Sequence, residues 1–189
     1  MNKKFKILSV FIPIVAAVLS LIYFTRFGDK NITIYLQVSF CSLIPLILYF
    51  FERIFKLSVS YKVNMTVAFQ IVFSSALGSG VMLYSTTSWW DNFTHLLFGF
   101  TASVLFAEFF KESSLLLRFL SVMGCAALWE IFEYVCDNLL NGDAQRVVSA
   151  LQNGLNPISD TMTDIWITGV GIGVFVVISF LTKRYKFLN

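Results

Sequence analysis

Six stretches of this chain stay mainly apolar for about 18 to 22 residues each, long enough for a helix rising about 1.5 Å per residue to cross the roughly 30 Å hydrocarbon core of a bilayer. They lie near Ile7 to Phe24, Ile32 to Phe51, Met65 to Tyr84, Phe93 to Phe110, Leu115 to Cys136 and Thr161 to Leu181. Backbone polar groups in lipid must be satisfied within their own segment, so all six read as helices and no strand is expected. The expected fold is therefore all-α: a single polytopic transmembrane bundle over residues 1–189 with six spans. Composition agrees. With 57% hydrophobic and 13% charged residues, among them 21 Phe, the chain has too little polar surface to cover a water-soluble globule of 189 residues.

The basic residues set the direction of threading. The amino end (Lys3, Lys4, Lys6), second loop (Arg53, Lys56, Lys62), fourth loop (Lys111, Arg118) and carboxyl end (Lys183, Arg184, Lys186) hold eleven of the 14 Lys and Arg. The other side holds Arg26, Lys30 and Arg146. By the positive-inside rule both termini are cytoplasmic and the third and fifth loops extracytoplasmic. A net charge of +3, scattered over segment ends, gives no support to a nucleic-acid partner. Lys3 to Lys6 followed by an apolar run also imitates a signal peptide, but the run is long and Thr25-Arg26-Phe27 is a poor cleavage site, which favours a retained first span. Pro13 and Pro45 are expected to bend the first two spans. Cys41, Cys125 and Cys136 lie far apart with no CxxC spacing, so neither a disulfide framework nor a zinc knuckle is expected. The one long connection, Asp137 to Asp160, carries the turn signals Asn141-Gly142 and Asn153-Gly154, and its middle, Ala144 to Leu151, is expected to form a short helix over the bundle end. This extracytoplasmic loop between spans five and six is thus expected to be partly ordered.

Ionisable groups in or beside spans are costly, and here they are unevenly placed. Span four opens with Trp90-Asp91-Asn92-Phe93-Thr94-His95, which puts Asp91 and the sole histidine, His95, about 40° apart on one helical face. Span five carries Glu130, Glu133 and Asp137 on one stripe, and span six begins with Asp160 and Asp164, an i, i+4 pair. Glu130 is expected about 8 to 10 Å inside its helix end, and His95 and Asp164 about one turn in. Six of the eleven acids and the only His can thus converge at one leaflet, with Arg146 the nearest basic residue. Carboxylates in such number would repel unless protonated, hydrated or bound to a cation. Asp91, His95, Glu130, Asp160 and Asp164 are accordingly candidate ligands of a divalent metal ion. The oxygen-rich set favours Mg, Mn or Ca, with zinc on one His and two carboxylates as the alternative. His95, Glu130 and Glu133 are the candidate catalytic groups.

Each of these residues also has a plainer account. Asp91 and His95 could form only a structural hydrogen bond, the stripe on span five could be a polar helix end, and Asp160 is a good N-cap. Trp89, Trp90 and Trp166 read as interface-belt aromatics. Glu108, beside Lys111, reads as a separate interfacial charge. Gly169-x-Gly171-x-Gly173, Gly78-Ser79-Gly80 and Gly99 read as close-packing positions.

Taken in order, Trp90 to His95 with Gly99 and Glu108, then Trp129-Glu130-Ile131-Phe132-Glu133-Tyr134, then Asp160 to Asp164, resemble the YjdF-like family of small bacterial inner-membrane proteins. The resemblance covers roughly residues 85 to 175. It departs at Leu155-Asn156-Pro157-Ile158-Ser159, which stands in place of a Gly-, Gln- and Trp-containing stretch. It implies a multi-pass protein of the bacterial plasma membrane and supplies neither an activity nor site residues.

Three functions remain open on the sequence. The leading one is a divalent-cation-dependent enzyme acting at the outer leaflet on a lipid or lipid-linked headgroup. In it Asp91, Glu130 and Asp164 serve as ligands, His95 as ligand or base, and Glu133 and Asp160 orient them. No serine-nucleophile or HExxH motif is present. The second is a proton- or cation-coupled transporter or channel, in which a homo-oligomer of so short a chain could build the pore. The third is a non-catalytic membrane scaffold.

Overall fold

The computed structural model describes residues 2–28, 31–56, 59–110, 112–140, 143 and 145–182, and among these the chain is helical with no strand. Lys30, Lys111, Lys183, Arg184 and Lys186, the Asn141-Gly142 turn and Ala144 lie outside the described residues. The helices are α1 (Asn2–Phe27), α2 (Ile32–Ser42), α3 (Ile44–Ile54), α4 (Tyr61–Ile71), a π-helix (Val72–Gly80), α5 (Leu83–Thr86), α6 (Trp90–Phe109), α7 (Leu115–Leu140), α8 (Val147–Gln152) and α9 (Ser159–Thr182). The chain divides into two compact units, Met1–Thr94 and His95–Asn189.

In the first unit α1 runs unbroken through Pro13 and turns a stripe of small residues inward: Ser9, Pro13, Ala17 and Ser20, ending on Phe24. Small side chains let helix backbones approach closely, and α1 packs along α4 and the π-helix. A methyl group on Gly80 would run into Ser20, and one on Gly78 into the Tyr84 ring. The second expected span is interrupted at Leu43, and α3 restarts with Pro45 in its first turn, where a missing N–H costs nothing. Asn31 and Ser60 cap α2 and α4, their side-chain oxygens accepting from the N–H of Thr33 and Lys62.

The second unit is built on α7 and α9 with the body of α6. Ala102, Val122 and Ile172, one from each helix, form its core, with Phe98, Phe106, Met123 and Val176 packed round them. The crossing of α6 and α9 is backbone on backbone. A Cβ on Gly99 would strike the Thr168 carbonyl oxygen, and one on Gly171 the carbonyl oxygen of Leu96. Only Gly171 of the 169, 171, 173 series serves this purpose, since a Cβ on Gly169 or Gly173 would meet nothing within 4 Å.

Among the described residues, four helical stretches are long and apolar enough to cross a membrane: Lys3–Phe27, Ile32–Ile54 (α2 with α3), Leu115–Leu139 and Ser159–Thr182. Each shows lipid-type surface, with bands of exposed Leu, Ile, Val and Phe. The expected third span is divided between α4, the π-helix and α5, and α6 carries Asp91, Asn92, His95 and Glu108 among its 20 residues, which dilutes its apolarity. Helix α7, the expected fifth span, extends to Leu140, one turn beyond the expected Cys136.

Candidate functional site

Helix spacing and the glycine crossing together create the site. His95 stands one turn before Gly99 on α6, and Asp164 one turn before Thr168 on α9, so the contact that joins the backbones also sets these two side chains face to face. His95 Nε2 lies 3.7 Å from Asp164 Oδ2, with both residues buried. That separation is too long for a direct hydrogen bond. The Thr168 hydroxyl donates to the His95 carbonyl oxygen at 3.4 Å, a second tie across the crossing. Asp91 rides on the same continuous helix one turn before His95. Asp91, His95 and Asp164 each offer one ligand atom, and these atoms lie within 4.8 Å of one another. One cation at about 2.0 to 2.5 Å from each ligand would need separations of about 3 to 5 Å between them.

Glu130 and Asp160, also expected as ligands, contribute no atom to that group. Glu130 is buried on α7, ten residues and hence about 15 Å from the helix end, deeper than the sequence suggests because α7 is longer. Its backbone carbonyl accepts from the Gln145 side chain at 3.0 Å. Asp160 does not cap α9, which starts at Ser159; it lies in the first turn, 3.7 Å from Arg146 Nη1. Glu133 accepts from the Trp129 indole N–H at 2.7 Å, on the exposed side of α7. Asp137 accepts from the Gln145 backbone N–H at 3.0 Å.

Sequence reasoning passed over two groups that matter. Gln145 is a loop residue, yet it is buried and its amide reaches both the Glu130 carbonyl oxygen and, at 3.4 Å, the Thr161 hydroxyl. Glu52 stands just past the expected end of the second span, yet it is buried on α3, where it pairs with Lys6 of α1 and accepts from the Asn64 amide of α4 at 2.9 Å. No helical spacing marks either one, since the partners stand 8 to 46 residues away on other elements. Trp90 is also reassigned. Trp89 and Trp166 are exposed as belt residues should be, but Trp90 is buried against Phe73 and Phe93 and donates to the Phe73 carbonyl oxygen. Cys41, Cys125 and Cys136 are separate thiols.

An all-helical chain with several bilayer-length apolar helices and a histidine–carboxylate cluster set into one helix crossing defines an integral membrane protein. Residues 7–185 match the family described as predicted membrane protein (DUF2238), and the chain belongs to that family, consistent with the YjdF-like resemblance of its motifs. Comparison with curated proteins and with solved structures found no match.

Proposed function

We propose that this protein is a six-span enzyme of the bacterial plasma membrane, with both termini cytoplasmic, that holds a divalent cation on Asp91, His95 and Asp164 and acts on lipid or lipid-linked headgroups at the outer leaflet. The observation that carries the reading is the convergence of two carboxylates and the only imidazole of the chain within 4.8 Å. The third and fourth spans are then Tyr61 to Gly80, where α4 continues into the π-helix, and α6. One nitrogen and two or more carboxylate oxygens suit Mg, Mn or Ca, with zinc as the alternative. A cation there would supply Lewis-acid polarisation of a phosphoryl oxygen. The chain's own part is to fix the ligands. Gly99 and Gly171 set the spacing of His95 and Asp164, and Thr168 holds the His95 backbone. Glu130 and Glu133 are the remaining candidates for moving a proton on this side of the bundle.

The test is reconstitution in vesicles of mixed bacterial phospholipids and a lipid-linked diphosphate, with headgroup products followed by mass spectrometry as Mn is added or chelated. Cation-dependent product that disappears in His95→Ala and Asp164→Asn supports the reading. Cation flux that needs Asp164, with no product, would replace it with a transporter. Neither product nor flux, together with no bound cation, would leave a scaffold.

A further inference from the structure

The connection between α7 and α9 has two unlike sides. Its inner side is polar and anchored. Gln145 donates through its side chain to the Glu130 carbonyl oxygen and the Thr161 hydroxyl and through its backbone N–H to Asp137. Arg146, held at a φ of 52°, reaches Asp160. A non-glycine residue in that left-handed region costs roughly 1 kcal/mol, and here the turn sends two successive side chains to α7 and α9. The segment is also tied to itself: the Val148 N–H donates to Asp143 Oδ1 at 2.8 Å, and the Leu155 N–H to the Ala150 carbonyl oxygen at 2.8 Å.

Its outer side is apolar. Val147, Val148, Leu151, Leu155 and Ile158 are 37%, 51%, 63%, 65% and 59% exposed. On α8 the first three fall within an arc of about 100°. A loop surrounded by water would not turn five branched aliphatic side chains outward together. The lipid-facing surface of the neighbouring spans runs up to this segment from both ends. Leu139, in the last turn of α7, is 75% exposed, while Met162 and Trp166 at the start of α9 are 50% and 76% exposed. Trp166 is the residue type that settles at the headgroup level, and Ile158 stands only two turns before it.

We infer that the segment from Val147 to Ile158 is an interfacial membrane anchor, seated in the headgroup–acyl boundary of the leaflet that borders the Gln145 side of the protein. Its occupant is lipid, by continuity with the lipid-facing bands of α7 and α9. Short amphipathic segments bind in this way when their apolar face sinks about 5 to 10 Å into the boundary. The inference rests on the membrane nature of the protein and is independent of any bound cation.

The experiment is site-directed spin labelling in phospholipid vesicles, with labels at Leu151→Cys and at Leu155→Cys in separate chains whose Cys41, Cys125 and Cys136 are replaced by Ala. Power saturation compares collision with apolar oxygen and with a water-soluble nickel chelate. A label at Glu112→Cys, in the exposed turn between α6 and α7, gives the aqueous reference. The expected result is an oxygen-to-nickel ratio at 151 and 155 several-fold above that at 112. A ratio equal to the reference at both positions would make the segment an aqueous loop and overturn the inference. Low collision with both reagents would overturn it too, by showing that protein, such as a second copy of the chain, covers the face. Two separately labelled positions guard against one substitution disturbing the fold.

Discussion

Glu52 and Asp164 are 6% and 2% exposed, yet the two buried acids are furnished in different ways. Glu52 sits among residues that complement it: the Lys6 ammonium on one carboxylate oxygen and the Asn64 amide on the other, with three helices joined as a result. Asp164 faces a histidine at 3.7 Å and shares its surroundings with Asp91. An acid that is given a cation from its own chain makes a clamp. In the proposed function, acids gathered around an imidazole, with ligand atoms within 4.8 Å of one another, make a set of ligands. The contrast separates charge that joins α1, α3 and α4 from charge that the proposed function puts to chemistry beside the α6–α9 crossing.

The largest effect should come from damaging the clamp. Glu52→Ala strands the half-buried Lys6 ammonium and the buried Asn64 amide and is expected to destabilise the protein by about 3 kcal/mol, read from denaturant titration of the detergent-solubilised protein. The double change Lys6→Met with Glu52→Met should recover most of that loss, because it removes both charges. If Glu52→Ala were neutral, the clamp would be ornamental. Next comes the crossing. Gly99→Val forces a side chain against the Thr168 carbonyl and should cost about 2 kcal/mol; it should also separate His95 from Asp164, while Gly173→Val, which meets open space, should change neither. Equal effects at both glycines would detach the site from the crossing. The smallest effect belongs to Gln145→Ala, about 1 kcal/mol for its side-chain hydrogen bonds. It should show chiefly as faster hydrogen exchange between Asp143 and Ile158 with the exchange of α1 to α4 unchanged.

The apolar runs that became bilayer-length helices were readable because span length and composition are local properties, and Pro45 was readable as a place where the second span departs from a straight helix, though as a bend and not as the interruption at Leu43. The Asp91–His95 neighbourhood was readable from i, i+4 spacing, and close packing at Gly99 and in the 169, 171, 173 series from their place in apolar helices, although nothing in that series singled out Gly171. What spacing could not show is which partner each residue meets across the fold. Asp160 pairs with Arg146 of the loop, and Glu130 lies deeper than expected because α7 outruns its apolar run, its backbone carbonyl accepting from Gln145. The π-helix leaves no signature in Val72 to Gly80, a stretch without a charged residue, where a change of helical pitch moves no charge to a wrong face. Trp89 and Trp90 are neighbours of one residue type, and only tertiary packing tells the belt residue from the core residue.

The central claim is that the Asp91, His95 and Asp164 atoms hold a divalent cation. Titration of the full chain in nanodiscs with Mn, followed by the loss of the free-ion electron paramagnetic resonance signal, tests it most directly. The account predicts one site per chain, weakened by at least about 100-fold in Asp164→Asn and in His95→Ala, since losing a ligand should cost no less than losing the groups that orient one, and unchanged in Glu52→Gln. Absence of binding to the wild-type chain, or binding that ignores Asp164 and His95, would contradict it.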